Sequence, residues 1–476
     1  MRKAFMGGRL KRFREERGLT QLALAQALDL SASYVNQLEK NQRPLTVPLL
    51  LRINATFGVD VQLFSEEGEA RLLADLKDVF ADPLLTERAA PSELREIVAD
   101  MPSIGHALVS LHRRYRDAAE RVDAMIAALG LGEDGAPSST SLQPHERVRD
   151  FFYAHHNYFP ELDEAAEMLF STAKLTVGEM AAGLVDYLRS RHGVTVVFDA
   201  DSQGDASDPR QRLYQPDDRL LRLSVRLDSG QRSFQMATQL AFLEMGETID
   251  RLARDAAGEE EETYRLARIG LANHFAGALL MPYGQFLSSA EQLRYDIERL
   301  SDRFGVGFET VCHRLSTLQR GDARGVPFFF IRVDRAGNIS KRQSATDFHF
   351  SRVGGSCPLW NVYEAFARPD VISTQLARMP DGRAYLWVAR TVSHGSGGYG
   401  APRKTFAIGL GCDIRHASRL VYSKGLDLSD PEAATPIGVG CKVCERPSCP
   451  QRAFPNIGQR LAIDENERRF APYPVK

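Results

Sequence analysis

Residues 19–44 read LTQLALAQALDLSASYVNQLEKNQRP, and their punctuation sets out the head of the chain. A preceding helix over Gly8–Arg17 stops at Gly18, a residue favoured just past a helix end because it takes a left-handed backbone without steric cost. Thr20 is placed to cap a second helix whose Leu22, Ala25 and Leu28 share one face. Asp29-Leu30-Ser31 makes a tight turn, and Ser31 is placed to cap a third helix. Along it Val35 and Leu38 fall three apart and pack inward, leaving Ser33, Tyr34, Asn36 and Gln37 outside. Thr46 and Pro48 open a fourth helix that closes at Gly58.

Two short helices joined by a tight turn, the second offering amides outward, form a helix-turn-helix. Asn and Gln suit that face because each can bond bidentately to an adenine edge. The predicted DNA-facing set is Gln21, Ser31, Ser33, Tyr34, Asn36, Gln37, Asn41 and Arg43, with Gln21, Asn41 and Arg43 on phosphates. The bland alternative is a helical bundle whose polar face is merely solvated. Charge weighs against it: residues 1–60 carry ten Lys/Arg against five Asp/Glu, a basic head on a chain of net charge −2. The whole 19–44 pattern resembles the helix-turn-helix of the xenobiotic-response-element and phage-repressor family. That resemblance implies binding to double-stranded DNA as a homodimer, on half-sites about one helical turn apart.

At 476 residues the chain is long enough for two to four domains. Hydrophobic residues at 43% and charged residues at 26% suit a soluble globular protein, and no run of 18 apolar residues offers a membrane span. The opening MRKAFMGGRLKRFREERG has no apolar core after its basic residues, so it does not read as a secretory signal. Six cysteines in this length read as reduced thiols or metal ligands, which places the protein in the cytoplasm. The expected organisation is multidomain: an all-α helix-turn-helix head at 1–65, a helical linking or dimerisation region at 66–130, and a Gly/Ser/Pro-rich flexible linker at 131–144 (LGEDGAPSSTSLQP). An α+β middle domain at 145–325 and an α+β C-terminal domain with a cysteine cluster at 326–476 follow. VTVVFD (194–199) and LLRLSVRL (220–227) read as strands, with helices at 232–256 and 259–281. VPFFFIRVD, GRAYLWVART and RKTFAIGLGCDI are strand-like segments of the last domain.

FQMATQLAFLEMGE (234–247) followed by RIGLANHFAGALLMP (268–282) resembles the ImmA/IrrE-like metallopeptidases. Those carry His-Glu-x-x-His on one helix, the two His binding zinc and the Glu acting as base, and a carboxylate ligand on the next. The matching positions here are Thr238, Gln239, Phe242 and Leu271. Phe and Leu offer no lone pair and Gln cannot take a proton from water, so the resemblance implies a degenerate, catalytically dead peptidase fold. His274, alone, reads as a satisfied structural histidine. The vacated face, with Thr238 and Gln239 polar and Phe234 and Phe242 apolar, suits a small, partly apolar ligand; the alternative is that this face is simply core.

GCKVCERPSCPQRAFP (440–455) places Cys441, Cys444 and Cys449 in a C-x2-C-x4-C run. A short loop of thiolates can wrap one ion or cluster, with Cys412 or Cys357 as a further ligand, while Cys312 reads as buried packing. The proline after Cys449 favours an iron–sulfur cluster of the 4Fe-4S type, with zinc or no metal as alternatives. Together with GGSCPLWNVYEAF (354–366) and FAIGLGCDIRHA (406–417), this tail resembles the short-chain fatty-acyl regulator family, which combines the same three parts over nearly the whole chain. The resemblance implies a regulator of propionate, acetate and glyoxylate metabolism that responds to short-chain acyl-CoA. CoA phosphates call for Arg or Lys and its adenine for an aromatic or Arg face. The candidates are Arg149, Tyr158, Lys174, Arg189, Arg191, Arg222 and Arg226, with Phe234, Thr238, Gln239 and Phe242 at the acyl end. Two other functions compete: a metallopeptidase that cleaves a partner repressor, and a redox sensor whose cluster is itself the signal.

Overall fold

The computed structural model describes residues 7–57 except 41, 67–129 except 83, 84 and 86–88, 144–199, 210–344, 357–394, 400, and 403–473 except 439, 442, 443, 445, 447 and 456–460. It divides into two compact units, residues 1–141 with 347–354 and 439–476, and residues 142–346 with 355–438.

The head has the four helices its punctuation predicts: α1 (Gly7–Glu16), α2 (Gln21–Ala27), α3 (Ala32–Glu39) and α4 (Val47–Phe57). Thr20 Oγ1 accepts from the Ala23 amide and Ser31 Oγ from the Tyr34 amide, each at 3.1 Å, so both caps form as expected. Asp29 takes the turn at φ 52°, a left-handed conformation that a short polar side chain tolerates. Leu10, Phe13, Leu24, Leu28, Val35, Leu38 and Ile53 close a small core. Then come α5 (Glu67–Phe80), α6 (Pro91–Asp100) and the 28-residue α7 (Pro102–Leu129), which share a second core of Leu72, Leu76, Val79, Leu94, Val98 and Val109. The linker expected at 131–144 lies outside the described residues except for Pro144.

The second unit opens with α8 (Pro144–Ala154), α9 (Pro160–Thr172) and α10 (Met180–His192). Strands β1 (Thr195–Asp199), β2 (Arg212–Gln215) and β3 (Leu220–Ser224) make a sheet in the order β1-β3-β2, with β3 parallel to β1 and antiparallel to β2. The strand expected at 220–227 is shorter because the chain turns at once into the Asp228 cap of α11 (Ser229–Glu244). The helix expected at 232–256 breaks at Met245, and α12 (Gly246–Ala257) and α13 (Glu261–Leu280) follow. β2 has no counterpart among the expected strands.

After α14 (Tyr283–Gln292), α15 (Ile297–Phe304) and α16 (Phe308–Leu315) comes a six-stranded sheet of β4 (Phe329–Val333), β5 (Ile339–Ser344), β6 (Ser373–Arg378), β7 (Ala384–His394), β8 (Lys404–Asp413) and β9 (Thr435–Pro436). Its order is β5-β4-β8-β7-β6-β9. Gly411 on β8 is required by packing: a Cβ there would lie 2.1 Å from a ring carbon of Phe329. One core runs through position 325, because Leu318, Val326, Phe328, Phe330, Leu386 and Ile408 join the cluster that holds Leu240 and Leu279. The segment read from sequence as a middle domain thus packs together with residues 326–344 and 357–438 of the expected C-terminal domain.

Candidate functional sites

On the head, α3 turns Val35 and Leu38 inward and leaves Ser33 exposed, with Tyr34, Asn36 and Gln37 half-buried beside it. Arg43 organises this patch: its Nε donates to Gln37 Oε1 at 2.9 Å, and its guanidinium lies 5.2 Å from the Tyr34 ring centroid. Gln37 therefore presents its amide nitrogen, a donor, with its oxygen already engaged. Gln21 is tied back, donating to Glu39 Oε2 at 2.7 Å, while Glu39 also takes Arg14 Nε at 2.6 Å. Ser31 is occupied as a cap. Asn41 lies outside the described residues.

In the second unit Phe234, Thr238, Gln239 and Phe242 come together because helical spacing stacks them on one side of α11. Thr238 is buried, its hydroxyl donating to the Phe234 carbonyl at 2.8 Å with Asn273 Oδ1 at 3.3 Å. Gln239 is 6% exposed, and its amide makes no hydrogen bond among the described residues. Leu271 is core. Thr238, Gln239, Phe242 and Leu271 thus present a tied hydroxyl, an amide without a hydrogen bond among the described residues, and two hydrocarbon groups. His274 is buried and neutral, burial bringing its pKa down to about 4. Its Nε2 has no hydrogen-bond partner among the described residues, so it is structural but not satisfied as expected.

The expected phosphate-binding cations are scattered. Arg149 pairs with Glu146 and Asp150, and Arg222 donates to Asp199 at 2.9 Å and Gln215 at 3.0 Å. Lys174, Arg189, Arg191 and Arg226 are exposed. Tyr158 accepts from Arg320 Nε at 3.3 Å, at the rim of a buried network in which Asp163, wholly inaccessible, takes both terminal nitrogens of Arg314. Burial pushes the Asp163 carboxyl up, but Arg314, His274 and Arg320 outweigh it and hold it below the ordinary carboxylate range. Two cations that sequence reasoning missed lie over Phe242 instead: Arg212 at 5.7 Å and Arg268 at 5.4 Å from the ring centroid. Nothing in the sequence marks Arg212, since the strand carrying it is a four-residue edge.

The cysteine tail departs from expectation. Arg452, buried, donates to the carbonyls of Cys441 at 2.9 Å, Cys444 at 3.1 Å, Arg446 and Phe454. The loop is wrapped around a guanidinium, and among the described residues no three His, Cys, Asp or Glu side chains converge on a metal position. Burial pushes the Cys444 thiol up. Cys412 is sealed in β8 with its thiol pushed up by burial, and Cys357 is buried near Trp360. Among the described residues, the tail therefore gathers no set of metal ligands. Cys312 is buried packing, as expected.

Comparison with known proteins covers nearly the whole chain. Three family descriptions match in succession: helix-turn-helix at residues 10–64, the IrrE N-terminal-like domain at 189–316, and the C-terminal domain of short-chain fatty acyl coenzyme A regulators at 317–473. The HTH-type transcriptional regulator PrpR of Mycobacterium tuberculosis is 52% identical over 99% of this chain and 96% of its own length. The HTH-type transcriptional regulator RamB of the same organism is 51% identical over the full length of both. The propionyl-CoA carboxylase regulator of Cereibacter sphaeroides is 40% identical over 99% of each. A solved structure of a Mycobacterium tuberculosis transcriptional regulator, 54% identical, superposes with a TM-score of 0.67 over 70% of this chain and all of its own. Each is named as a regulator, PrpR, RamB and the solved structure as regulators of transcription, and none as an enzyme.

Proposed function

Because the chain belongs to the family of short-chain fatty acyl coenzyme A regulators, a family of DNA-binding transcription regulators, we propose that it is a one-component sensor. A short-chain acyl-CoA of the propionyl-CoA type binds the second unit in the cytoplasm and alters the affinity of paired heads for an operator. The carrying observation is the α11 face: at the positions matched to zinc ligands and base stand Thr238, Gln239, Phe242 and Leu271, and the Gln239 amide makes no hydrogen bond among the described residues. Such a face suits ligand binding without hydrolysis. Phe234, Thr238, Gln239 and Phe242 line the effector site, and Ser33, Asn36 and Gln37 read bases.

A homodimer is supported by α7. Ile104, Leu108, Leu111 and Tyr115 recur at alternating spacings of four and three, and Ile104, Leu111 and Tyr115 are exposed. The pattern continues in sequence through Ala118, Val122, Met125 and Leu129. Leu111→Glu should shift the protein toward monomer in sedimentation and weaken operator binding. An iron–sulfur or zinc centre at Cys441, Cys444 and Cys449 has no part in this reading.

The test is fluorescence anisotropy of a duplex selected from a random pool, titrated with acetyl-, propionyl- and butyryl-CoA against free CoA. A propionyl-CoA-type effector should change duplex affinity by roughly 5- to 150-fold, the usual range of coupling between sites. If no acyl-CoA moves the curve, the sensing claim fails; bound zinc with cleavage of a partner repressor would reinstate the peptidase.

A further inference from the structure

We propose that Arg212 is an oxyanion-binding group built across α11, where the degenerate helix has lost its zinc ligands, and that Gln239 completes the site as a second donor. The inference rests on the reading of this face as the effector site, and adds the chemistry that the effector must bring to it.

Arg212 opens β2, the edge strand of the three-stranded sheet. Its Nη1 donates to the Gln235 carbonyl at 3.4 Å, and its guanidinium carbon lies 5.7 Å from the Phe242 centroid. Gln235 and Phe242 are seven residues apart, two helical turns, and Gln239 lies between them on the same stripe. The guanidinium therefore lies along the row that carries the degenerate metal-binding positions.

That cation has no countercharge: no carboxylate among the described residues pairs with Arg212, and burial alone perturbs it, lowering its pKa. Its neighbour on the same ring differs, since Arg268 lies 2.7 Å from Asp250. A half-buried guanidinium with five donors and one long hydrogen bond leaves most of its donors open to a ligand. Gln239 is in the same condition, nine-tenths buried and unbonded. A cation and an amide, both short of acceptors beside aromatic rings, call for a carboxylate or phosphate attached to an apolar group. In an acyl-CoA that oxyanion is a phosphate; in a free short-chain acid it is the carboxylate.

Calorimetric titration of the full-length protein and of Arg212→Met and Arg212→Lys tests this, with propionyl-CoA, propionate and inorganic phosphate as separate probes. Wild type should bind at least one probe, Arg212→Met should bind it on the order of tenfold or more weakly, and Arg212→Lys should lie between. Apo Arg212→Met should melt no lower than wild type, because it removes an uncompensated charge, a result that a merely structural arginine would not give. Equal propionyl-CoA affinity in wild type and Arg212→Met overturns the inference and leaves the acyl-CoA reading standing. Binding of propionate or phosphate alone, lost in Arg212→Met, upholds the inference and removes the acyl-CoA reading. A wild type that binds none of the three overturns both.

Discussion

Arg452 and Arg212 both stand where the sequence points to a metal, one inside a loop of three cysteines and one across a helix that resembles a His-Glu-x-x-His helix. Their surroundings treat them differently. Arg452 is surrounded by four main-chain carbonyls and has spent its donors holding the chain in shape. Arg212 has a single long bond to a carbonyl and an aromatic ring beneath it. The same group is therefore scaffold in one place and an open valence in the other, and the number of acceptors already engaged separates the two. Arg314, gripped by the inaccessible Asp163 and donating to the Met281 carbonyl at 3.1 Å, marks the fully compensated limit of this scale.

That limit should give the largest effect. Asp163→Asn leaves Arg314 buried and only partly compensated, and breaking a buried pair by removing one partner costs about 3–5 kcal/mol. Denaturant unfolding of the variant should show it, while a loss below about 1 kcal/mol would mean that acceptor count is no guide here. Arg452→Met comes next. It strands carbonyls around the cysteine loop and should cost about 2–3 kcal/mol. Faster alkylation of Cys444 by iodoacetamide would locate the damage in the loop, whereas an unchanged rate would return that loop to candidacy for a metal.

The third effect is on pH. His274, beside Asp163, has a folded pKa of about 4, below the ordinary value near 6.5, so the unfolded chain takes up the proton first. Stability is complete above about pH 6.5 and falls as pH drops toward 4, with a loss of about 2 kcal/mol by pH 5 from this residue. His313, half-buried and also pushed down by desolvation, titrates in the same sense. His274→Gln should therefore flatten part of the acid limb of a melting-temperature profile, and a profile identical to wild type would mean that His274 carries no such shift.

Much of this was legible in the sequence, for a physical reason. Caps, turns and inward-facing apolar spacing are local, so Thr20, Ser31, Val35 and Leu38 could be placed without any tertiary knowledge. The α11 face was legible only through its resemblance to a His-Glu-x-x-His helix, with helical periodicity then stacking its residues on one side. What could not be read was which charge reaches which partner. Arg149 and Arg222 looked like phosphate ligands and are paired nearby, while Arg212 acts across a strand-to-helix contact that no spacing encodes. The C-x2-C-x4-C run pointed to a metal because spacing records where thiols can meet, and says nothing of a guanidinium three residues after Cys449 that takes the carbonyls of Cys441 and Cys444.

The smallest effect is also the most discriminating. Gln239→Glu keeps the shape of a side chain that is 6% exposed and gives it a charge. If Arg212 were elsewhere, this would bury an unpaired carboxylate and destabilise the fold by several kcal/mol. With an uncompensated guanidinium on the same stripe, the two charges should pair and the apo protein should gain about 1 kcal/mol at neutral pH. The sign of the change, read by thermal or chemical unfolding, thus reports whether the two groups meet. The new carboxyl should titrate below its ordinary range, so the gain should persist above about pH 4.3 and disappear as pH falls through the lowered value. The internal countercharge should also compete with an oxyanion ligand, so a variant that is more stable and binds more weakly is the expected pair of outcomes. A variant that loses stability at pH 7 would separate Gln239 from Arg212 and make this cation scaffold like Arg452.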